Sequence, residues 1–278
     1  MQQLPALVIH PTPHMDMHPE KREDFYRSAI EQLPKKTQES FMRQMGESFY
    51  EKVVKNSFRA FVDDVAHLAV YPKVSRFNHD CRPNVHYRLS GLIHTTVAVR
   101  DIPAGTELTI SYIYVRKSRA ERQKELSESW NFTCTCEQCS KSAEEIAASD
   151  ARMRRIKALE EDIERKVIES ARKRGSEDTS GLNPDMAGEL VELYLTERLD
   201  AHLGPVYVRA ALLYAMFGHE EKAKEYATEA AAALEREYGP HARDIPSMRD
   251  LAERPRDHWA WGLKAVDYNT MRKNDTML

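Results

Sequence analysis

Apolar positions along this chain follow three successive patterns. A short run, Leu4-Pro5-Ala6-Leu7-Val8-Ile9, predicts a strand, closed off by Pro11 and Pro13. Between residues 20 and 54 the spacing turns helical, with Phe25, Ala29 and Leu33 followed by Phe41, Met45, Phe49 and Val53. This predicts two helices, Glu20 to Leu33 and Thr37 to Val54, broken at Pro34. From Val85 the period becomes two: Val85 to Leu89, a turn at Ser90-Gly91, then Ile93 to Val99, which predicts a hairpin of alternating β-branched residues. Asp101 to Gly105 reads as a turn and Glu107 to Tyr112 as a third strand. A polar helix over Arg116 to Leu126 then delivers the chain to Trp130.

After Ser140 the helical period takes over. Met153, Ile156, Leu159, Ile163 and Val167 predict one long amphipathic helix reaching about Arg174. Gly175 to Gly181 is composed as a flexible connection, followed by helices at about 186 to 203, 205 to 217 and 220 to 238, with breaks at Gly204-Pro205 and Gly218. Ala215, Ala223, Ala227 and Ala230 are small enough for the pair around Gly218 to pack closely, like a tetratricopeptide-type hairpin. Trp259 and Trp261 are expected to cap this helical core, and the tail from Tyr268 is polar. The fold class is therefore α+β: a β-rich core with inserted helices over about 20–55, then an α-helical carboxy-terminal domain.

Composition narrows the function classes. A chain of 278 residues can bury a core without disulfides, so its four cysteines, three of them within six residues, point to metal binding in a reducing compartment. The net charge of −3 with 31% charged residues gives no basic excess for nucleic acid. No apolar run reaches the ~18 residues of a membrane span, and the amino terminus lacks a signal-peptide layout, so a soluble intracellular protein is expected.

Two stretches concentrate the chemistry. Arg76-Phe77-Asn78-His79-Asp80-Cys81-Arg82-Pro83-Asn84 is dense in coordinating and hydrogen-bonding side chains, and Cys134-Thr135-Cys136-Glu137-Gln138-Cys139 supplies three thiols. A structural zinc takes four ligands in a closed tetrahedron, so the triplet leaves one position to fill. Cys81, the one other cysteine, fills it, or else one of eleven histidines does.

These stretches, with Gly105-Thr106-Glu107-Leu108-Thr109-Ile110-Ser111-Tyr112 between them, resemble the SET-domain protein lysine methyltransferases, of the MYND-associated type and its fungal relatives. The resemblance covers about residues 4 to 140; the helical half is similar to the same group's carboxy-terminal region less distinctly. It implies a SET domain over 1–114, a post-SET zinc segment over 115–140 and a helical domain over 141–278. It implies one structural zinc on Cys81, Cys134, Cys136 and Cys139, and S-adenosylmethionine held by Asn56, Asn78, His79 and Tyr112. Tyr112 would be the catalytic tyrosine, with Phe58, Trp130 and Phe132 lining the lysine channel. The segments around 78 and 112 would thread into a pseudoknot, a rare exception to unknotted connections. The substrate would be a protein lysine, a histone tail among the options, in the nucleus or cytoplasm; no membrane or direct nucleic-acid partner is implied, and the oligomeric state is open.

The sequence departs from the family in one place. The family opens on a strand pair bearing a Gly-x-Gly loop, whereas the first glycine here is Gly46, and no cysteines remain for a MYND finger. The expectation is a chain that starts inside the domain. Two functional readings follow: a methyltransferase, or a zinc-stabilised interaction module in which a SET core and helical domain bind a partner without turnover. A zinc-ribbon nucleic-acid binder is disfavoured, because Trp130 and Phe132 lack a surrounding basic face.

Overall fold

The computed structural model describes residues 1–10, 16–172 and 181–262. The connection expected at 175–181, apart from Gly181, and the tail from Tyr268 lie outside the described residues, as do Pro11 and Pro13. The chain divides into two compact units, one of residues 1–113 with 124–134, the other of 114–123 with 135–278.

The first unit is built on three small sheets. Strand β1 (Gln2–Gln3) pairs with β7 (Ile93–Ala98), which pairs with β6 (Val85–Ser90), all antiparallel. The hairpin predicted from period two is thus present, its reversal made at Gly91 with φ of 55°. A second sheet has the order β2-β4-β3, from Leu7–Ile9, Val65–Val70 and Ser57–Val62. The β3–β4 hairpin turns on Asp63 and Asp64, both left-handed at φ 48° and 62°, the signature of a two-residue type I′ turn. The third sheet is a two-residue parallel contact of β5 (Asn78–His79) with β8 (Thr109–Ile110), extended by the Asp80 N–H on the Ile110 carbonyl at 3.0 Å. The strand expected over 107–112 is ladder-paired only at those two positions.

The inserted helices differ from expectation in number. Helix α1 (Pro19–Glu31) is followed by α2 (Lys35–Met42) and α3 (Phe49–Asn56), so the single helix read over 37–54 is broken. Gly46 makes the break: its φ is +125°, and a Cβ there would stand 2.8 Å from the Lys52 backbone nitrogen. The new helix start is capped twice. Ser48 Oγ accepts from Glu51 N–H at 3.1 Å, and the Glu23 carboxylate of α1 accepts from Phe49 and Tyr50 N–H at 2.7 and 3.0 Å. We expect Gly46→Ala to destabilise the unit by about 2 kcal/mol. A fall in urea midpoint with unchanged m-value would show it. Tyr26, Ile30, Phe41, Val53 and Val70 form the core under these helices.

Helix α4 (Arg119–Trp130) passes from one unit to the other. The second unit contains α5 (Ala143–Arg172), α6 (Pro184–Thr196), α7 (Gly204–Met216), α8 (Glu220–Tyr238) and α9 (Ile245–Glu253). Its core joins Met153, Ile156, Leu159 and Ile163 of α5 to Leu190 and Tyr194 of α6, and to the alanines predicted for close packing, Ala215, Ala223, Ala227 and Ala230. Helix α6 stops seven residues short of the expected 203, where Arg198 takes a left-handed φ of 52° and a 3₁₀ turn follows over Asp200–His202. Trp261 packs against the core, but Trp259 is 46% exposed and caps nothing. No helix among the described residues is long and apolar enough to cross a membrane.

Glu237 is buried at the start of α7, where its Oε1 accepts from Gly204 N–H at 2.8 Å and its Oε2 finds no partner. Burial pushes its carboxyl up to about 7, against an ordinary glutamate near 4.5. The folded state therefore holds this proton more tightly than the unfolded chain. Its contribution is complete below about pH 4.5 and is lost as the pH rises through 7, a change of roughly 3 kcal/mol. Glu237→Gln, which cannot ionise, should gain stability relative to the parent between pH 5 and 8; parallel curves for the two proteins would contradict this.

Candidate active site and metal centre

The site grows out of the short parallel contact of β5 and β8. Asn84, buried, binds both sides of the incoming strand: its Nδ2 donates to the Glu107 carbonyl at 2.8 Å and its Oδ1 accepts from Thr109 N–H at 2.9 Å. Arg100 holds the turn before it, donating to the Arg82 and Pro83 carbonyls at 2.9 and 2.8 Å. Two ladder residues would not fix a strand alone; these side-chain bonds supply what the ladder lacks. Asn78, exposed, donates from Nδ2 to Glu107 Oε1 at 2.6 Å. The structural work of Asn84, Arg100 and Glu107 was not read from the sequence. Asn84 stood in the dense stretch, and its type beside Pro83 was the available signal.

Tyr112 leaves the end of β8 doubly anchored. Its N–H donates to His79 Nδ1 at 3.0 Å, and its hydroxyl donates to the Phe77 carbonyl at 2.6 Å. Burial, and secondarily the Glu107 carboxylate, push its phenol above the ordinary tyrosine value, so the hydroxyl stays protonated. Around it stand Trp130, with ring centroids 4.6 Å apart, His79 at 5.4 Å and Phe132 at 6.5 Å. Trp130 and Phe132 arrive because α4 ends at Asn131, whose left-handed φ of 56° reverses the chain between them. Asn78, His79, Tyr112, Trp130 and Phe132 are thus brought into one neighbourhood.

Asn56 and Phe58 lie in a different local setting. The Asn56 amide donates to the Met45 and Lys52 carbonyls at 2.8 and 2.7 Å, and its own carbonyl accepts from Ser75 Oγ at 2.7 Å. Phe58 packs in a second aromatic group with Tyr71, Tyr87 and His94, at centroid distances of 5.8, 5.0 and 4.8 Å. His94 is fully buried there, and desolvation lowers its pKa to about 4, so it is neutral at physiological pH.

The four cysteines converge. The sulfurs of Cys81, Cys134, Cys136 and Cys139 all lie within 4.8 Å of one another, and all but Cys136 are buried. Four thiolates at ~2.3 Å from a zinc ion stand ~3.8 Å apart along the tetrahedron's edges, so this donor set fits one zinc. Of the alternatives the sequence left open for the fourth position, Cys81 is the one whose sulfur lies with the other three. Cys136 to Ser140 is a tight turn, with Cys139 and Ser140 N–H on the Cys136 carbonyl at 2.9 and 3.0 Å, and Arg119 Nε donates to the Cys139 carbonyl at 2.8 Å. His79 adds a link: with Nδ1 accepting from Tyr112, a neutral ring carries its proton on Nε2, 3.4 Å from Cys81 Sγ. A ring in that tautomer supports a metal-bound thiolate from outside the ligand set.

Residues 9–113 match the family model of the SET domain. The chain carries a SET domain of the SMYD-like kind. It is 44% identical over 85 residues to histone-lysine N-methyltransferase set5 of Schizosaccharomyces pombe, covering 30% of this chain and 27% of that protein. It is 37% identical over 92 residues to human histone-lysine N-methyltransferase SMYD3, covering 32% and 22%, and 32% identical over 105 residues to N-lysine methyltransferase SMYD2-A of Xenopus laevis, covering 37% and 24%. The matched region spans about a quarter of the length of these relatives.

Proposed function

We propose that this chain is an S-adenosylmethionine-dependent protein-lysine N-methyltransferase, acting on a protein substrate, and that it carries one structural zinc. The observation that supports this most is the double anchoring of Tyr112 inside an aromatic group within a SET domain. The relatives' names, which are those of histone-lysine and N-lysine methyltransferases, agree with it.

S-adenosylmethionine, when bound, supplies an electrophilic methyl on a sulfonium. The residues here would do the rest. Asn78 and His79 would hold it through the backbone of β5, because the His79 ring and the Asn78 amide already have partners within the protein. Asn56 would contribute from the end of α3, and Phe58, Trp130 and Phe132 would line the channel. Rings around a lysine amine strip its water and favour the neutral form that can attack in line. The Tyr112 hydroxyl donates a hydrogen bond to the Phe77 carbonyl, which would leave its oxygen lone pairs to face the positive charge at the reacting centre. Tyr112 orients; it need not exchange a proton. Cys81, Cys134, Cys136 and Cys139 would hold zinc and so fix the segment bearing Trp130 and Phe132.

A second reading, a zinc-stabilised interaction module without turnover, draws on the four-cysteine cluster and on the helical unit with its own hydrophobic core. Methyl transfer from labelled S-adenosylmethionine to lysine-bearing protein substrates separates the two. The proposal expects label that disappears when the target lysine is replaced by arginine; a zinc-loaded, folded chain that labels none of a broad substrate panel would favour the module.

A further inference from the structure

The helical unit contains a cavity of about 210 Å³ with no counterpart in the methyl-transfer reading. Arg116, Glu160, Tyr194, His202, Arg209 and Tyr238 line it, together with the first turn of α7 at Pro205 and Val206. Its volume is below the ~300–1,000 Å³ of drug-sized ligand sites, which suits a small charged head group better than an extended apolar ligand.

The polar groups on one wall form a closed set. Glu160 accepts from Arg116 Nη1 and from the Tyr194 hydroxyl, the latter at 2.6 Å, and Arg116 Nη1 also reaches the Tyr194 oxygen. Glu160 is thereby matched in charge and committed in hydrogen bonds. Arg116 is not exhausted: its Nε is buried and has no hydrogen-bond partner. Arg209 stands on α7, half-buried, and makes no hydrogen bond, ion pair or ring contact among the described residues. Arg116 (+1), Arg209 (+1) and Glu160 (−1) leave the cavity with one uncompensated positive charge before His202 is considered. The other carboxylate at this end of α7, Glu237, already accepts from Gly204 N–H.

A half-buried guanidinium without a partner loses hydration and gains nothing, unless an anion completes it. Its planar fork and a second guanidinium with an unused N–H favour the same chemistry. We propose that this cavity binds an oxyanion head group, a phosphoryl or a carboxylate, with Arg209 as the principal contact and Arg116 as the second. Tyr238, exposed at the rim, would flank whatever carries that head. This assignment stands apart from the SET domain's reaction and survives if that reading fails.

The test uses the full chain with its metal bound. Inorganic phosphate and acetate are titrated separately at constant ionic strength against chloride, with heat of binding and melting temperature as readouts. The expected result is saturable binding of at least one anion, weakened about tenfold or more in Arg209→Ala. Arg209→Lys, which keeps the charge and loses the fork, should recover part of that loss. Zinc content and circular dichroism of both variants should match the parent. Phosphate binding alone assigns a phosphoryl head and acetate binding alone a carboxylate; either supports the proposal if it depends on Arg209. Failure of both anions to exceed chloride, or equal binding by Arg209→Ala, overturns it. If Arg209→Ala fails to fold, line broadening of the phosphorus resonance of phosphate, parent against Arg209→Gln, decides in its place.

Discussion

Cys81→Ser is expected to release the zinc and to lower the melting temperature by about 10 °C or more. Cys81 is fully buried, and its sulfur stands within 4.8 Å of the other three. A serine hydroxyl is a poor ligand for zinc, and the three remaining thiols no longer close a tetrahedron. Structural zinc contributes on the order of 10 kcal/mol in small peptides, so even a fraction of that exceeds ordinary single-site losses. The damage should travel further than the metal. His79 faces Cys81 Sγ with one ring nitrogen and holds the Tyr112 N–H with the other, so its orientation depends on both. Cys136→Ser should behave alike. Metal analysis and thermal melts check both variants, and a full complement of zinc in Cys81→Ser would remove it from the ligand set.

Tyr112→Phe should separate chemistry from stability. The ring contacts with Trp130, His79 and Phe132 survive, as does the backbone bond to His79, so only the hydroxyl's bond to the Phe77 carbonyl is lost. That costs about 1 kcal/mol in stability, since the Phe77 carbonyl gives up its donor. Methyl transfer, by contrast, should fall about a hundredfold, the scale on which removal of one aligned polar group at a reacting centre acts. The loss should fall on kcat more than on KM, because in the proposed reaction the hydroxyl would act at the reacting centre rather than on the body of the substrate. A variant with unchanged kcat would take Tyr112 out of the reaction.

Much of this site was legible because its residues are chemically rare in this chain. Four cysteines with three in one cluster leave few ways to complete a metal site, and Cys81 stands with the other three in a cluster that could hold an ion. The period-two hairpin and the long helix of the second unit were readable from hydrophobic spacing alone, and the alanines around Gly218 are buried as their size predicted. What escaped was written in backbone angles. The split at Gly46 needed a positive φ that helical spacing over 37–54 conceals. The β3–β4 hairpin turns on Asp63-Asp64 where Asn-Gly would have announced it. Helix α9 carries only Ile245, Met248 and Leu251 as its buried face, too short a pattern to separate from a loop. Asn84 was visible as a residue, yet its two-sided hold on β8 depends on a parallel pairing between positions 31 residues apart, such as Asn78 with Thr109. No local pattern encodes that.

The central claim, that the neighbourhood of Asn78, His79 and Tyr112 is a cofactor site in this chain, is tested most directly by calorimetric titration of the zinc-loaded protein with S-adenosylhomocysteine. One saturable site per chain is expected, retained in Tyr112→Phe and lost in Cys81→Ser. No detectable heat at millimolar ligand, from protein shown to be folded and metal-loaded, would contradict it.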